Sequence, residues 1–239
     1  MYFCQKLEFN DMVHIKHFTF NAFQTRCSLV WDEDGFCAAV DPGFADDKEK
    51  DRLTAFISAN GLKMVCIMLT HAHFDHIYGV AEFAKEFGIP VYMHEAEKYT
   101  MEVTNPYVCK AYGLPLPDVS FQFIPAGEKA DGKYVTDRIK VGSLCFEVLE
   151  TPGHSKGGVC YLERESKVLF SGDTLFAGAI GRTDHPGGDY DQLIRNILEK
   201  LTVLDGEISV IPGHGPCSDI ATEGMTNPFL LPFNEPYED

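Results

Sequence analysis

Four residues of the types that bind metal ions lie close together in this sequence: His71, His73, Asp75 and His76. Two histidines separated by one residue point to the same side of an extended backbone, whereas on a helix they diverge. His71 and His73 can therefore bind one metal ion, and Asp75 repeats the spacing. His76 points the other way, so the segment can supply ligands to two ions about 3.5–4 Å apart, as in dinuclear hydrolases.

Three more residues of these types follow apolar runs later in the chain: His154, Asp173 and His214. A single histidine in a polar turn is more often a hydrogen-bonded structural residue than a metal ligand. Their common position after apolar runs favours a shared role with the first cluster. Imidazole and carboxylate ligands suit zinc or iron.

The elements around the first cluster are predicted from the pattern of apolar residues. Residues 64–69 form a continuous apolar run, which is typical of a strand buried on both faces. From Ile77 to Phe87 apolar residues recur at helical spacing, and Gly88 ends the pattern. The cluster is therefore expected on a turn between a strand and a helix.

Similar patterns surround the other candidate residues. Upstream, a strand over 36–40 enters the turn Asp41-Pro42-Gly43, and a helix ends near Gly61, which completes a β-α-β unit. Strands are also predicted over 144–148, 168–170 and 208–211.

A last helix is predicted to begin at Asp189, with Gln192 three residues later, as in a capping box. The four strands that precede the candidate ligands, over 64–69, 144–148, 168–170 and 208–211, are thus expected to end in polar turns carrying His or Asp. Neighbouring strand ends are where distant residues can converge on one ligand.

The order of these residues resembles the metallo-β-lactamase superfamily, which implies an α/β fold, the four-layered αββα sandwich. The resemblance implies a first metal ion held by His71, His73 and His154. It implies a second ion held by Asp75, His76 and His214, with Asp173 bridging the two. We therefore expect two divalent metal ions, zinc in the first instance, with iron as the alternative.

Further motifs resemble the short, single-domain relatives of glyoxalase II, the hydroxyacylglutathione hydrolases. They are Asn21-x-Phe23-Gln24, Asp41-Pro42-Gly43, the segment from Ser171 to Phe176, and Gly181-Arg182-Thr183-Asp184. The resemblance does not include the helical domain that completes glutathione binding in the longer enzymes, and we expect that domain to be absent. The resemblance therefore implies hydrolysis of a small acyl thioester, with loose specificity for the thiol.

The predicted chemistry is attack by a metal-bound hydroxide. Paired cations lower the pKa of bound water from 15.7 to about 7 and polarise a nearby carbonyl group. A thiolate leaves readily because a thiol pKa is only about 8.5. Asp75 and Asp173 are the predicted catalytic residues, since Asp75 also orients the nucleophile. Arg182 is predicted to bind a substrate carboxylate through its fork of donors.

Other functions remain open at this point. A persulfide dioxygenase has the same fold but uses one iron held by two histidines and an aspartate, and a lactonase has compatible ligands. A β-lactamase is disfavoured because in the best-known class a cysteine stands at the position of Asp173. A metal-binding module without turnover is disfavoured because catalytic sites keep an open coordination position, and this ligand set has no closing residue.

Composition limits the remaining possibilities. With 239 residues, 45% of them hydrophobic, we expect one domain over 1–239, with an acidic, proline-containing tail from about residue 228. A net charge of −16 opposes binding to nucleic acid. No basic leader or membrane-length apolar run is present, so we expect a soluble, cytoplasmic protein acting on a small molecule.

The remaining reactive residues are expected to be structural. Eight cysteines include no C-x-x-C pair, so we predict buried thiols rather than disulfides. Lys156 and Tyr161 are weaker candidates for substrate contacts. Four histidines outside the pattern are expected to be structural or exposed: His14, His17, His94 and His185.

Overall fold

The first sheet of the computed structural model, which describes residues 13–127 and 136–231, has six strands in the order β1-β2-β3-β4-β5-β6. They are β1 (His14–Phe20), β2 (Thr25–Trp31), β3 (Phe36–Val40), β4 (Lys63–Met68), β5 (Val91–Met93) and β6 (Phe123–Pro125). The first three strands pair antiparallel, and β3 to β6 pair parallel.

Helices connect the parallel strands, as the geometry of such connections requires. They are α1 (Asp47–Ala59), α2 (Phe74–Ile77), α3 (Val80–Phe87) and α4 (Asn105–Tyr112), with a 3₁₀ turn (Glu95–Glu97) and a π-helical turn (Thr100–Thr104) before α4. The predicted β-α-β unit is therefore β3-α1-β4.

The second sheet of the described residues also has six strands, in the order β14-β13-β10-β9-β8-β7. They are β7 (Arg138–Val141), β8 (Leu144–Glu150), β9 (Val159–Glu163), β10 (Val168–Gly172), β13 (Ser209–Pro212) and β14 (Ser218–Asp219). A small hairpin of β11 (Leu175–Phe176) and β12 (Ala179–Ile180) follows β10. Helices α5 (Tyr190–Asn196) and α6 (Ile220–Thr226) flank β13, and a π-helical turn (Ile197–Leu201) extends α5.

The central strands β2 and β3, and the second half of β4, are buried on both faces, which explains their apolar runs. Ala38 and Cys66 face the other sheet, whereas their neighbours Ala39 and Ile67 pack with Leu53 of α1. Alternate residues of one strand thus belong to different cores, as the two-residue period of a strand dictates.

The second sheet repeats this arrangement. Tyr161 and Phe170 face the inter-sheet core, whereas Leu162 and Leu169 pack with Leu193 of α5. The layers are therefore helix, sheet, sheet and helix, which confirms the predicted αββα sandwich. The single domain over 1–239 stays a prediction for the whole chain, although both sheets share one core.

The predicted helix after the histidine cluster is two helices. Helix α2 begins earlier than expected, at Phe74, and a break at Gly79 precedes α3. A side chain at Gly79 would lie 2.5 Å from the Phe44 ring, so the chain needs glycine there. Asp75 and His76 consequently lie on a helical turn and not on the extended backbone that their spacing suggested.

Other predicted local features are confirmed. Gly88 ends α3 in the left-handed conformation, and the Asp189 side chain accepts a hydrogen bond from the Gln192 amide at the start of α5. The start of the predicted tail includes Leu230, which is fully buried, while 232–239 lie outside the described residues. The described cysteines are free thiols, mostly buried, and Cys4 lies outside the described residues. No described helix is both long and apolar enough to cross a membrane.

Candidate metal centre

The predicted site residues lie at one end of the sandwich. Strands β8, β10 and β13 run in the same direction, because β8 and β10 are both antiparallel to β9 and β10 is parallel to β13. Their carboxyl ends therefore lie at the same edge, where His154, Asp173 and His214 follow them. The loop after β4 brings the first cluster to this edge from the other sheet, and the structure thus brings all seven predicted ligands together.

The first ligand set consists of His71, His73 and His154, whose candidate ligand atoms all lie within 4.8 Å of one another. Nδ1 of His73 lies 2.8 Å from Nε2 of His154. These residues are 2%, 6% and 6% exposed, respectively. Burial lowers the pKa of His71 and of His73 well below the usual value, and neighbouring histidines lower it further. Both rings are therefore held in the neutral form that binds a cation.

The second ligand set consists of Asp75, His76 and His214. Nε2 of His214 lies 3.2 Å from Nε2 of His76 and 3.4 Å from Oδ2 of Asp75. Burial lowers the pKa of His76, but the carboxylates of Asp75, Asp173 and Asp41 raise it more strongly, to about 10. This negative environment favours positive charge next to His76.

Asp173 lies between the two sets. Its Oδ1 is 3.4 Å from Nε2 of His76, and its Oδ2 is 3.6 Å from Nε2 of His154 and 3.5 Å from Nε2 of His214. Each oxygen thus faces histidines of one or both sets, which is the placement expected of a bridging carboxylate.

Some candidate ligand atoms are buried without a protein partner, which is expected of atoms that bind a metal ion. Within the described residues, Nε2 of His71 and Oδ1 of Asp173 are buried without a hydrogen-bond partner. Buried polar atoms without partners are costly, and functional sites are where such atoms are found. Neutral imidazole nitrogens and carboxylates are ligands for divalent ions such as zinc and iron.

Backbone carbonyl groups fix two of the histidine rings. Nδ1 of His154 lies 2.7 Å from the Arg182 carbonyl oxygen, and Nδ1 of His214 lies 3.0 Å from the Phe23 carbonyl oxygen. A carbonyl can only accept, so Nδ1 carries the proton in both rings. Nε2 is therefore free to bind a cation, as in metal sites where the second nitrogen orients the ring.

Asp41 holds residues of both sets. Its carboxylate accepts hydrogen bonds from the amide and the hydroxyl group of Thr70, and its Oδ2 lies 3.0 Å from Nδ1 of His76. The Thr70 hydroxyl lies 3.1 Å from Nδ1 of His71. Asp41 was noted in the turn after β3 but not predicted as a site residue. The position of that turn, beside the parallel strand that carries the first cluster, could have identified it.

Two residues of the β1–β2 turn region support Asp75. The Thr25 hydroxyl donates to Oδ2 of Asp75 at 2.7 Å, and the Asn21 side chain donates to the Asp75 carbonyl oxygen at 2.9 Å. Burial raises the pKa of Asp75, but His76, His214 and the Thr25 hydrogen bond hold it well below the usual value. Asp75 is therefore ionised and fixed in orientation.

Close approach of the backbone explains one glycine of the site. A side chain at Gly213 would lie 2.3 Å from Oδ1 of Asp173 and 2.7 Å from Cε1 of His76. Only glycine lets the loop after β13 pass this close to both ligand sets.

The predicted substrate residue, Arg182, lies beside the site but is already paired. Nε and Nη2 of its guanidinium group each donate to the Asp184 carboxylate at 2.7 Å, on a half-exposed side chain. Lys156 lies over the Tyr99 ring, with Nζ 3.8 Å from its centroid. Tyr161 is buried and donates to the Leu69 carbonyl oxygen, which is a structural contact.

The histidines outside the pattern are placed as follows. His14 stacks on Trp31, the His17 ring contacts the Ser28 hydroxyl, and His94 pairs with Glu150. His185 lies nearer to the site than expected, with its ring centroid 6.3 Å from that of His73.

Comparison with known proteins agrees with this geometry. The sequence profile of the metallo-beta-lactamase superfamily matches residues 20–214. The chain is 38% identical over 215 residues to the hydroxyacylglutathione hydrolase GloC of Haemophilus influenzae, covering 87% of this chain and 94% of the relative.

Two solved structures are also similar to this chain. A crystal structure of the B3 metallo-beta-lactamase BLEG-1 is 35% identical, with a TM-score of 0.78 over 91% of this chain and 99% of that one. A crystal structure of TTHA1623 in a di-iron-bound form is 35% identical, with a TM-score of 0.74 over 90% of this chain and 100% of that one. The profile match spans all seven candidate ligands, and the relatives are consistent with the same family. The chain belongs to the metallo-β-lactamase superfamily and is a metal-dependent hydrolase.

Proposed function

We propose that the protein hydrolyses small acyl thioesters of the hydroxyacylglutathione type at a centre of two divalent metal ions. The observation that carries this proposal is Asp173 placed between two three-residue ligand sets, with contacts to both. The reaction named for GloC, which matches most of this chain, supports the choice of a thioester. Zinc is the proposed metal, and the di-iron form of TTHA1623 makes iron the alternative.

When bound, the metal ions supply an acidified water molecule and polarise the carbonyl oxygen of the substrate. The protein's own residues hold the reacting groups in place. Asp75 is ionised, and its Oδ2 is fixed by Thr25 on the side of the second set, where it can accept a hydrogen bond from the attacking water. A thiolate leaving group needs little protonation, since a thiol pKa is about 8.5. The reaction therefore needs no dedicated acid at the leaving group.

Direct assays test the proposal. The protein is loaded with zinc or with iron, and thiol release is measured from lactoylglutathione and from hydroxyacyl thioesters of smaller thiols. Oxygen uptake with glutathione persulfide is measured in parallel. Release of thiol without oxygen uptake is expected. Oxygen consumption that depends on iron, with no thioester cleavage under either metal, would show a persulfide dioxygenase instead.

A second candidate is β-lactam hydrolysis, which is favoured by similarity to the B3 metallo-beta-lactamase BLEG-1 over most of this chain. The same two-ion arrangement can act on an amide carbonyl group. A chromogenic cephalosporin and a simple lactone belong in the same assay series. Cleavage of either substrate with a kcat/KM above that for every thioester would replace the thioester proposal.

A further inference from the structure

Glu97 is a buried carboxylate beside the proposed metal centre. It lies in the 3₁₀ turn after β5, and its side chain is fully shielded from solvent. Oε2 accepts a hydrogen bond from the Ala72 amide at 2.7 Å, and Oε1 accepts one from the Gly157 amide at 2.7 Å. Both carboxylate oxygens are therefore used, each by a backbone donor.

The two donors belong to the two loops that carry the first ligand set. Ala72 lies between His71 and His73, on the loop after β4, and Gly157 lies three residues after His154, on the loop that follows β8. A side chain at Gly157 would lie 2.9 Å from the Glu97 amide nitrogen, so this loop is pressed against the 3₁₀ turn. The Glu97 carboxylate thus links a loop of the first sheet to a loop of the second, next to the histidines that form the first ligand set.

We propose that Glu97 is a positioning residue that sets the separation of His71 and His73 from His154. Hydrogen bonds from amide groups to an ionised carboxylate are short and strong, and a buried carboxylate needs them at both oxygens. A glutamine amide cannot replace it, since its NH₂ group would face one of the two N–H donors. The inference rests on the proposed ligand assignment, and not on the thioester substrate.

Asp32 provides a matched control at the opposite end of the sandwich. Its buried carboxylate accepts from the amides of Phe36 and Ser143, so it also joins hairpins of the two sheets. It lies in the β2–β3 turn, whereas the metal centre lies at the other end of β3. Asp32→Asn therefore removes the same kind of link without touching a ligand loop.

The test measures metal binding directly. Glu97→Gln and Asp32→Asn are made in a His214→Ala background, which removes a ligand of the second set and leaves the first set complete. Metal-free protein is titrated with Co²⁺, and the dissociation constant and the visible spectrum are recorded along with the melting temperature. Glu97→Gln is expected to weaken Co²⁺ binding about 10–100-fold and to shift the spectrum, as loss of a group that orients ligands does. Asp32→Asn is expected to lower the melting temperature and leave the affinity within about twofold of the background.

Two results would overturn the inference: a Glu97→Gln affinity within twofold of the background, or an equal loss of affinity in Asp32→Asn. If Glu97→Gln does not fold, Glu97→Asp replaces it, because the shorter carboxylate keeps its charge but cannot reach both amides. Unchanged Co²⁺ affinity in that variant would also reject the role. Failure of thiol release with the Co²⁺ result intact would reject the proposed function and leave the inference standing.

Discussion

The first ligand set is almost closed to solvent, since His71, His73 and His154 are 2%, 6% and 6% exposed. In the second set, the His214 side chain is 27% exposed. Asp75 and His76 are as buried as the first set, so the difference in solvent access between the two sets lies at His214. A nearly dry site strengthens electrostatic interactions with a cation, because the local dielectric constant is lower there.

The supports of the two sets differ as well. Glu97 joins the two loops of the first set through backbone amides buried between the sheets. The His214 loop is held by the half-buried Arg26, whose guanidinium group donates to the carbonyl oxygens of Pro212 and Gly215. A half-buried side chain orders a loop less firmly than a fully buried link does. Asp75 and His76 have buried supports of their own, so we expect the His214 loop to be the most mobile part of the centre and the second set to bind its ion more weakly for that reason.

The largest effect is expected at the residue common to both sets. Asp173→Ala should lower kcat by about a hundredfold or more, because it removes charge and spacing from both cations. Metal content should fall at the same time. Leu169→Ala, a truncation of the neighbouring core, should cost about 2–5 kcal/mol of stability, which Asp173→Ala should not. Full turnover with both ions bound in Asp173→Ala would show that Asp173 is not a bridge.

The order of metal loss tests the comparison of the two sets directly. Dialysis of loaded protein against increasing concentrations of a chelator should remove one ion before the other, with midpoints about tenfold apart or more, the range that orienting groups produce. The ion lost first should be the one absent from His214→Ala, and the ion retained should be the one weakened in His154→Ala. Elemental analysis gives the stoichiometry at each step. Loss of both ions in one step would mean that the sets do not differ.

A smaller effect is expected at Thr25, which touches the second set alone. Thr25→Val keeps the shape and removes the hydroxyl group that donates to Asp75, so the second ion should bind several-fold to tenfold more weakly. Thr25→Ser keeps the hydroxyl group and should restore binding. Co²⁺ titration of the two variants measures this. An equal loss in the serine variant would assign the effect to packing.

The smallest effect is expected at Arg182, whose backbone supports the first set while its side chain lies outside it. If Arg182 binds a substrate carboxylate, Arg182→Ala should raise KM by less than about tenfold, the range for an exposed ion pair, with a smaller change in kcat. Asp184→Asn frees the guanidinium group from its present partner and should lower KM. Steady-state kinetics on a carboxylate-bearing thioester gives both values. Unchanged KM in both variants would return Arg182 to a structural role.

Local patterns in the sequence were sufficient for much of the fold and for the identity of the candidate ligands. The apolar runs marked β4, β10 and β13 because strands buried on both faces need apolar residues at every position. Asp189 marked the start of α5 because a cap acts on an amide three residues away. The seven candidate ligands were found by their types, by their spacing in the first cluster and by their positions after strands.

Only the tertiary structure revealed the residues that support those ligands. Thr25 acts on a group 50 residues away in the chain, Asp41 on groups 29 and 35 residues away, and Glu97 on groups 25 and 60 residues away. No local period connects these residues to their partners. The helical turn at Asp75 and His76 was also missed, since alternating ligands look extended when read from spacing alone. The sequence by itself determined which side chains could bind metal, because residue type and local spacing are chemical properties of the chain. The packing of two sheets decided how firmly each side chain is held, because buried hydrogen bonds between distant segments exist only once the chain has folded.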